Sequence, residues 1–230
     1  MKPLAAAVLS LAACLALGAC ASPPPVSAPV SSAPPAGEPL DEDEDVDVAV
    51  FLGDSYTVGL GGEGYVERTA RALGWSGVAE GQSGTGYVNP SGVAGQQAYG
   101  ERVDDVAAHR PDVVVVQGST NDAGAAPPEV SAAAAQLYAD LAEALPAASV
   151  VVVGPVAPPG IPVEEVRAVR DAVARAAEGA GLPFVDPVAE DWLRRPDGLF
   201  TEDGIHPNQA GYDEMAERLA AALRELVPAA

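Results

Sequence analysis

Positive charge is scarce in this sequence. Lys2 is the only lysine, and the formal net charge is −21 at pH 7. A chain with this charge is repelled by polyanions, which excludes non-specific binding to nucleic acid. It is also repelled by anionic lipid, so attachment to a membrane would have to come from a lipid anchor. The same composition suits solubility, so it does not by itself indicate a cationic substrate.

Cysteine is nearly absent, and both copies, Cys14 and Cys20, lie close to the start. The apolar run 4–17 is too short for a membrane span and is typical of an export signal. Residues 17–20, Leu-Gly-Ala-Cys, resemble the lipobox of bacterial lipoproteins, whose cysteine is lipidated and becomes the mature N-terminus. We therefore expect a signal peptide over 1–19 and lipid on Cys20. The alternative is an ordinary signal peptide with a chance cysteine.

This interpretation predicts an exported protein, anchored by lipid to the outer face of the bacterial cell membrane. Cleavage before Cys20 would remove Cys14, so no disulfide could form within the mature domain. Its stability would then have to come from burial of a hydrophobic core.

Aromatic residues are missing between residues 22 and 40, where the sequence is largely Pro, Ala, Ser and Val. This composition predicts a disordered tether with some polyproline character. The acidic run 41–45 lacks the Gly and distal Glu of a calcium loop, so we interpret it as a solvated charge block. The expected organisation is a lipidated Cys and tether over 20–45, followed by a single domain over 46–230.

Apolar runs of strand length alternate with helical patterns in that domain. Such alternation indicates an α/β fold with a parallel sheet covered by helices on both faces. The predicted strands are 46–52, a short one beginning at 78–79, 113–116, 149–153 and 184–185. The predicted helices are 63–73, 99–109, 127–145, 162–178 and 207–226.

Polar loops follow three of the predicted strands. Ser55 follows the first strand, residues 83–85 follow the second, and residues 119–122 follow the third. Ligands of open α/β sheets bind at the carboxyl ends of the strands. The pattern thus predicts a functional site at this edge.

Histidine is as rare as cysteine, with only His109 and His206 in the chain. His109 lies at a predicted helix end and is interpreted as a surface residue. His206 ends the run Asp-Gly-Ile-His that begins at Asp203. A serine nucleophile needs a base near neutral pH, and that base needs a carboxylate to fix its tautomer. Ser55, His206 and Asp203 are therefore candidates for a catalytic triad.

Four short motifs occur in the same order as in the SGNH/GDSL hydrolase family, so the chain resembles a bacterial lipoprotein member of that family. They are Gly-Asp-Ser at 53–55, a glycine after the second strand at Gly84, Asn121-Asp122, and Asp-x-x-His at 203–206. The resemblance covers nearly the whole domain and implies a flavodoxin-like, three-layer fold with a five-stranded sheet.

The resemblance also implies the role of each matching residue. Ser55 would be the nucleophile, His206 the base and Asp203 the residue that orients it. The amides of Ser55 and Gly84 and the side chain of Asn121 would form the oxyanion hole. Acyl transfer needs such donors, each worth about 100- to 1000-fold in rate.

Two positions depart from the family pattern. Ser119 stands where the third motif, Gly-x-Asn-Asp, has its glycine, although Gly118 is adjacent. In the second motif, Gly81 and Gly86 compete with Gly84 for the role of oxyanion donor.

The expected function is that of an extracytoplasmic serine esterase which acts on carboxylic esters without a cofactor or metal. Its partner would be a small-molecule or glycan ester, and we expect a monomer. Acetyl esters of cell-wall sugars, other short-chain esters and lipids remain open as substrates. The alternatives are an acyltransferase that acts on a sugar hydroxyl, and a surface binding protein that has lost activity.

Overall fold

The computed structural model describes residues 46–59, 63–194 and 198–227. Its sheet has five parallel strands in the order β2-β1-β3-β4-β5. The strands are β1 Val48–Gly53, β2 Ser76–Gly81, β3 Val113–Gln117, β4 Ser149–Val153 and β5 Phe184–Val185. This is the strand order of flavodoxin-like doubly wound sheets. The predicted α/β fold is confirmed.

Helices connect consecutive strands and cover the sheet. They are α1 Ser55–Val58, α2 Tyr65–Leu73, α3 Val103–Ala108, α4 Pro127–Ala144, α5 Val163–Ala180 and α6 Gln209–Leu226. Two short 3-10 turns, Tyr99–Arg102 and Thr120–Asp122, precede α3 and α4.

Each face of the sheet has its own hydrophobic core. In β1, Phe51 packs in the cluster that includes α2 and α6, whereas Val50 and Leu52 pack with α3, α4 and α5. Residues alternate between the faces of a strand, so a strand covered on both sides is apolar throughout. This explains the unbroken valine run 113–116 and confirms the layer of helices on either face.

The predicted helix 99–109 is interrupted at Arg102, which has φ −110° and ψ 13°. Its guanidinium is fully buried and donates to the carbonyl oxygens of Gly53 at 2.9 Å and Glu80 at 3.0 Å. These contacts tie the ends of β1 and β2 together, which favours the break over a continuous helix.

Other boundaries move by a few residues for local reasons. The last helix begins at 209 and not at 207 because the Asn208 side chain caps it, accepting the Gly211 N–H. Helix α5 continues to 180, two residues past the predicted end, because Gly181 and not Gly179 adopts the left-handed cap.

The predicted signal peptide and tether lie outside the described residues. Among the helices that the structure describes, none combines the length and apolar character needed to cross a membrane.

Candidate active site

The site lies where the order of the strands reverses, between β1 and β3. Asp54 follows β1 and caps α1, its Oδ1 accepting the Tyr56 N–H at 2.9 Å. Ser55 is the first residue of α1 and is 7% exposed. The strand beside β1 in the sheet, β3, leads into the segment 119–122. All three predicted polar loops meet at the carboxyl edge of the sheet, where Ser119 Oγ lies 3.0 Å from both Asp54 Oδ2 and the Thr85 carbonyl oxygen.

The structure brings the three predicted triad residues into contact. His206 Nε2 lies 3.0 Å from Ser55 Oγ, and His206 Nδ1 lies 2.6 Å from Asp203 Oδ2. These are the two hydrogen bonds by which a base can remove a serine proton while a carboxylate fixes its tautomer. Ser55 and His206 are 151 residues apart in the chain.

The Asp203 carboxylate is well supplied with donors. Oδ1 accepts the N–H groups of Ile205 at 2.8 Å and His206 at 3.0 Å, and the Thr201 hydroxyl at 2.7 Å. The bond to the His206 ring, followed by these three, holds the pKa of Asp203 well below its usual range. The group is therefore an anion at neutral pH, as an orienting carboxylate must be.

Besides the contact between His206 and Ser55, two hydrogen bonds attach the loop 203–206 to other segments. The Tyr56 hydroxyl donates to the Ile205 carbonyl oxygen, and the Gly160 N–H donates to the Gly204 carbonyl oxygen at 2.7 Å. A Cβ at Gly160 would lie 2.8 Å from that same oxygen, so only glycine permits this approach. No sequence motif indicated Tyr56 or Gly160.

Asn121 contacts the segments that follow β1 and β2. Its Nδ2 donates to the Thr85 carbonyl oxygen at 2.9 Å and to Asp54 Oδ2 at 3.3 Å. The Ser119 hydroxyl reaches the same two acceptors, each at 3.0 Å. The departure at Ser119 therefore leaves Asn121 beside the segments that follow β1 and β2.

Asp122 joins the segments that follow β2 and β3. Its carboxylate is 1% exposed and accepts the N–H groups of Tyr87 at 2.8 Å and of Val88 and Asn89 at 3.1 Å. Burial raises the pKa of Asp122, and the three N–H groups oppose the rise. Sequence reasoning identified Asp122 only as part of a motif, without this role.

The three glycines that compete for the second motif differ in what they face. A Cβ on Gly81 would lie 2.5 Å from the Val58 nitrogen, and one on Gly86 would lie 2.4 Å from Asp122 Oδ2. Gly84 has φ +77°, and a Cβ there would meet only Ser91, at 3.1 Å. Close packing thus explains why positions 81 and 86 are glycine. At position 84 the positive φ explains it instead.

Asp54 is a buried acid directly before Ser55 in the chain. Burial raises its pKa to about 6, against the hydrogen bonds from Tyr56 and Ser119, which lower it. Asp122 raises the pKa further, whereas His206 lowers it.

Other side chains with reactive or binding potential have structural partners. His109 pairs with Glu80 at 2.8 Å on the surface. Trp192 is buried in a core cluster against which Trp75 and Phe200 also pack. The described residues contain no group of three or more His, Cys, Asp or Glu side chains arranged to hold a metal ion.

The sheet is doubly wound, and at its carboxyl edge a histidine is hydrogen-bonded to both a serine and an aspartate. This is the architecture of an α/β serine hydrolase. The family model for the GDSL-like lipase/acylhydrolase family matches residues 51–214. The chain belongs to this family and is a carboxylic ester hydrolase of the GDSL type, which confirms the resemblance drawn from the four motifs.

One relative agrees with this assignment, and two solved structures share the fold. The chain is 34% identical to a GDSL lipase of Mycobacterium tuberculosis, over 79% of this chain and 84% of that protein. The lipase/acylhydrolase from Enterococcus faecalis has a similar structure, with a TM-score of 0.64 and 18% identity over 80% of this chain and all of that one. A family two carbohydrate esterase from Clostridium thermocellum gives a TM-score of 0.59 and 22% identity, over 78% of this chain and 63% of that one.

Proposed function

We propose that the chain hydrolyses carboxylic esters through an acyl-enzyme on Ser55. The observation that carries the proposal is the continuous set of contacts from Ser55 Oγ through the His206 ring to Asp203. The low pKa of Asp203 supports it, because an anion at Oδ2 favours a proton on Nδ1 and leaves Nε2 free to act as the base.

The reaction then proceeds in two halves. Ser55 Oγ attacks the ester carbonyl carbon while His206 Nε2 takes the hydroxyl proton. The tetrahedral intermediate collapses, and the same nitrogen returns the proton to the departing alkoxide. In the second half, His206 activates a water molecule that attacks the acyl carbon, and Ser55 leaves with its proton restored. Asp203 stays ionised and stabilises the imidazolium in both halves.

The developing oxyanion would be held by the backbone N–H groups of Ser55 and Gly84 and by Asn121 Nδ2. The placement of Asn121 beside Asp54, directly before the nucleophile, supports its part in this set. The choice of Gly84 is supported by the close packing that already accounts for Gly81 and Gly86. Donors aimed at a developing oxyanion act mainly on turnover.

We further propose that the enzyme works outside the cytoplasm, anchored by lipid on Cys20. The Leu-Gly-Ala-Cys run and the Pro-rich stretch after it support this. Over residues 22–40, at about 3.1 Å per residue, a polyproline-like tether would reach on the order of 60 Å from the membrane. Such a reach would suit short-acyl or acetyl esters of cell-wall sugars as substrates.

The test combines covalent labelling with a series of substrates. A fluorophosphonate should label the natural protein and fail to label Ser55→Ala. The matched control Ser149→Ala removes an exposed serine at the opposite end of the sheet, the start of β4, and should label normally. Labelling of folded Ser55→Ala to the same extent would refute the proposal.

Substrate preference is measured with nitrophenyl esters of increasing acyl length beside acetylated glycans. The proposal predicts faster turnover of acetyl than of long-chain esters. Product analysis with a free sugar as acceptor separates hydrolysis from acyl transfer: free acid supports the esterase, and an acylated sugar supports the transferase.

The lipid anchor is tested separately. Cys20→Ser should release the protein from the membrane or block its processing. Membrane retention with normal maturation would contradict lipidation.

A further inference from the structure

Ser119, where the chain departs from the Gly-x-Asn-Asp motif, has a fully buried side chain with three polar contacts. Oγ lies 3.0 Å from both Asp54 Oδ2 and the Thr85 carbonyl oxygen, and it accepts the Asn121 N–H at 3.0 Å. The hydroxyl therefore links the segments that follow β1, β2 and β3. A glycine at this position could make none of these side-chain contacts.

Asn121 Nδ2 donates to the same two acceptors as the Ser119 hydroxyl. Its bond to the Thr85 carbonyl oxygen is 2.9 Å long, and its bond to Asp54 Oδ2 is 3.3 Å long. An amide nitrogen carries two hydrogens, so both already have partners within the protein. To donate to an oxyanion, Nδ2 has to give up one bond, and the longer bond to Asp54 is the weaker of the two.

Loss of that bond would remove a donor from a buried carboxylate. Asp54 is 1% exposed, and a buried ionised group without its donor costs more than a neutral one. The Ser119 hydroxyl has one hydrogen, shared between two acceptors at equal distance. It can turn that hydrogen wholly to Asp54 while Thr85 keeps its bond from Asn121. Every acceptor then retains a donor.

We propose that Ser119 is a positioning residue whose hydroxyl takes over the hydrogen bond to Asp54 when the Asn121 amide turns to the oxyanion. The inference rests on the proposed role of Asn121 in the oxyanion hole. Ser119 acts through Asn121 and not on the substrate. Its contribution therefore appears in turnover and depends on the presence of Asn121.

A double-mutant cycle on nitrophenyl acetate hydrolysis tests this dependence. Asn121→Ala should lower kcat by about 100- to 1000-fold. Ser119→Ala should lower kcat by about 10- to 100-fold with KM almost unchanged, the effect of one hydrogen bond to a charged group. The double variant should be no slower than Asn121→Ala. Unchanged turnover in Ser119→Ala, or losses that multiply in the double variant, would overturn the inference.

Two further variants keep the test decisive. Thr69→Ala removes another buried hydroxyl, on α2, whose oxygen has no hydrogen-bond partner within the described residues. It should leave kcat unchanged, which shows that loss of a buried hydroxyl alone does not slow the enzyme. Where Ser119→Ala does not fold, Ser119→Cys keeps a similar volume with a weak donor and should show the same dependence on Asn121.

The outcomes also separate this inference from the function on which it rests. Full turnover in Asn121→Ala would overturn both the oxyanion role of Asn121 and the inference. Fluorophosphonate labelling of Ser55 in that variant would show that the esterase proposal still stands. A slow Asn121→Ala variant beside a fully active Ser119→Ala variant would overturn the inference alone.

Discussion

The two sides of the hydrogen bond between Ser55 and His206 are built differently. On the nucleophile side, Asp54, Ser119 and Asp122 are all at most 1% exposed, and each joins two or more loops. On the base side, the Asp203 side chain is 45% exposed and pairs chiefly with groups of its own loop.

This difference in burial predicts that substitutions on the two sides affect turnover and stability differently. A buried polar group that loses its partner destabilises the fold, whereas an exposed group can recover hydrogen bonds from water. Substitutions in the base loop should therefore lower turnover and leave folding nearly intact. Substitutions on the nucleophile side should lower the free energy of unfolding as well.

The largest effect is expected for His206→Ala. Loss of the base in a comparable serine hydrolase lowers turnover by about 10⁶-fold, or about 8 kcal/mol. The melting temperature should change little because the His206 side chain is still 25% exposed and its carboxylate partner Asp203 is 45% exposed. Steady-state kinetics and thermal unfolding measure both quantities, with His109→Ala as the matched control. Strong unfolding of His206→Ala would contradict the contrast between the two sides.

Asp203→Asn should come next, with a loss in turnover of about 10⁴-fold, the effect of the comparable change in a serine protease. The amide oxygen can still accept the N–H groups of Ile205 and His206, so the shape of the loop survives. The amide nitrogen would face His206 Nδ1 and favour the wrong tautomer. Turnover that stayed close to that of the natural protein, in a folded variant, would remove Asp203 from the mechanism.

Asp122→Ala tests the prediction that substitutions on the nucleophile side lower stability. It leaves three N–H groups without their acceptor, each at a cost of roughly 1–3 kcal/mol. We expect the free energy of unfolding, measured in urea, to fall by at least about 3 kcal/mol, with turnover reduced as well. Asp104→Ala, in an exposed part of α3, is the control. Equal stability of the two variants would show that the Asp122 contacts contribute little.

The buried Asp54 predicts a pH dependence of stability. Its pKa is raised to about 6 in the folded protein, against about 3.9 when unfolded. Between these values the folded state binds more protons, so the contribution of Asp54 to stability falls as pH rises from about 4 to 6.

Asp54→Asn removes this titration. Urea unfolding of both proteins across this range should show the natural protein losing stability relative to the variant, by on the order of 2 kcal/mol. A relative gain of stability with rising pH would mean that the pKa of Asp54 is lowered and not raised.

The smallest effect is expected for Tyr56→Phe, which removes the hydroxyl that donates to the Ile205 carbonyl oxygen. One such bond is worth about 1 kcal/mol, so turnover should fall severalfold as the base loop loosens. Tyr212→Phe is the matched control, because the Tyr212 hydroxyl is buried with no hydrogen-bond partner among the described residues. If the two variants had the same kinetics, the Tyr56 contact would play no part in holding the base.

The sequence predicted most of the fold because the sheet is buried on both faces. Strands with continuous valine and helices with clear start and stop residues carry strong local signals, and β4 and β5 have the bounds that were expected. The contacts among Ser55, His206 and Asp203 could be predicted because so few histidines are available. The three residues meet in the structure as the motif order implied.

What the sequence did not reveal depends on contacts between distant segments. Nothing local indicates that Arg102 would be buried against two strand ends, since arginine is normally exposed. The roles of Asp122 and Tyr56 likewise depend on backbone groups, which carry no sequence signal. The Ser119 departure could be noticed in the sequence, but its partners Asp54 and Thr85 could be identified only in three dimensions.

The order of the site residues along the chain has a consequence for folding. His206 lies just before α6, which packs on the same face of the sheet as α2 and is joined to it by the bond from Arg224 to the Ala72 carbonyl oxygen. Asp54, Ser55, Ser119 and Asp122 all precede His206. We therefore expect the proposed site to stay incomplete during synthesis until α6 has docked. In a refolding experiment, the return of activity would report the docking of α6, while burial of the β1 and β3 core could be followed separately.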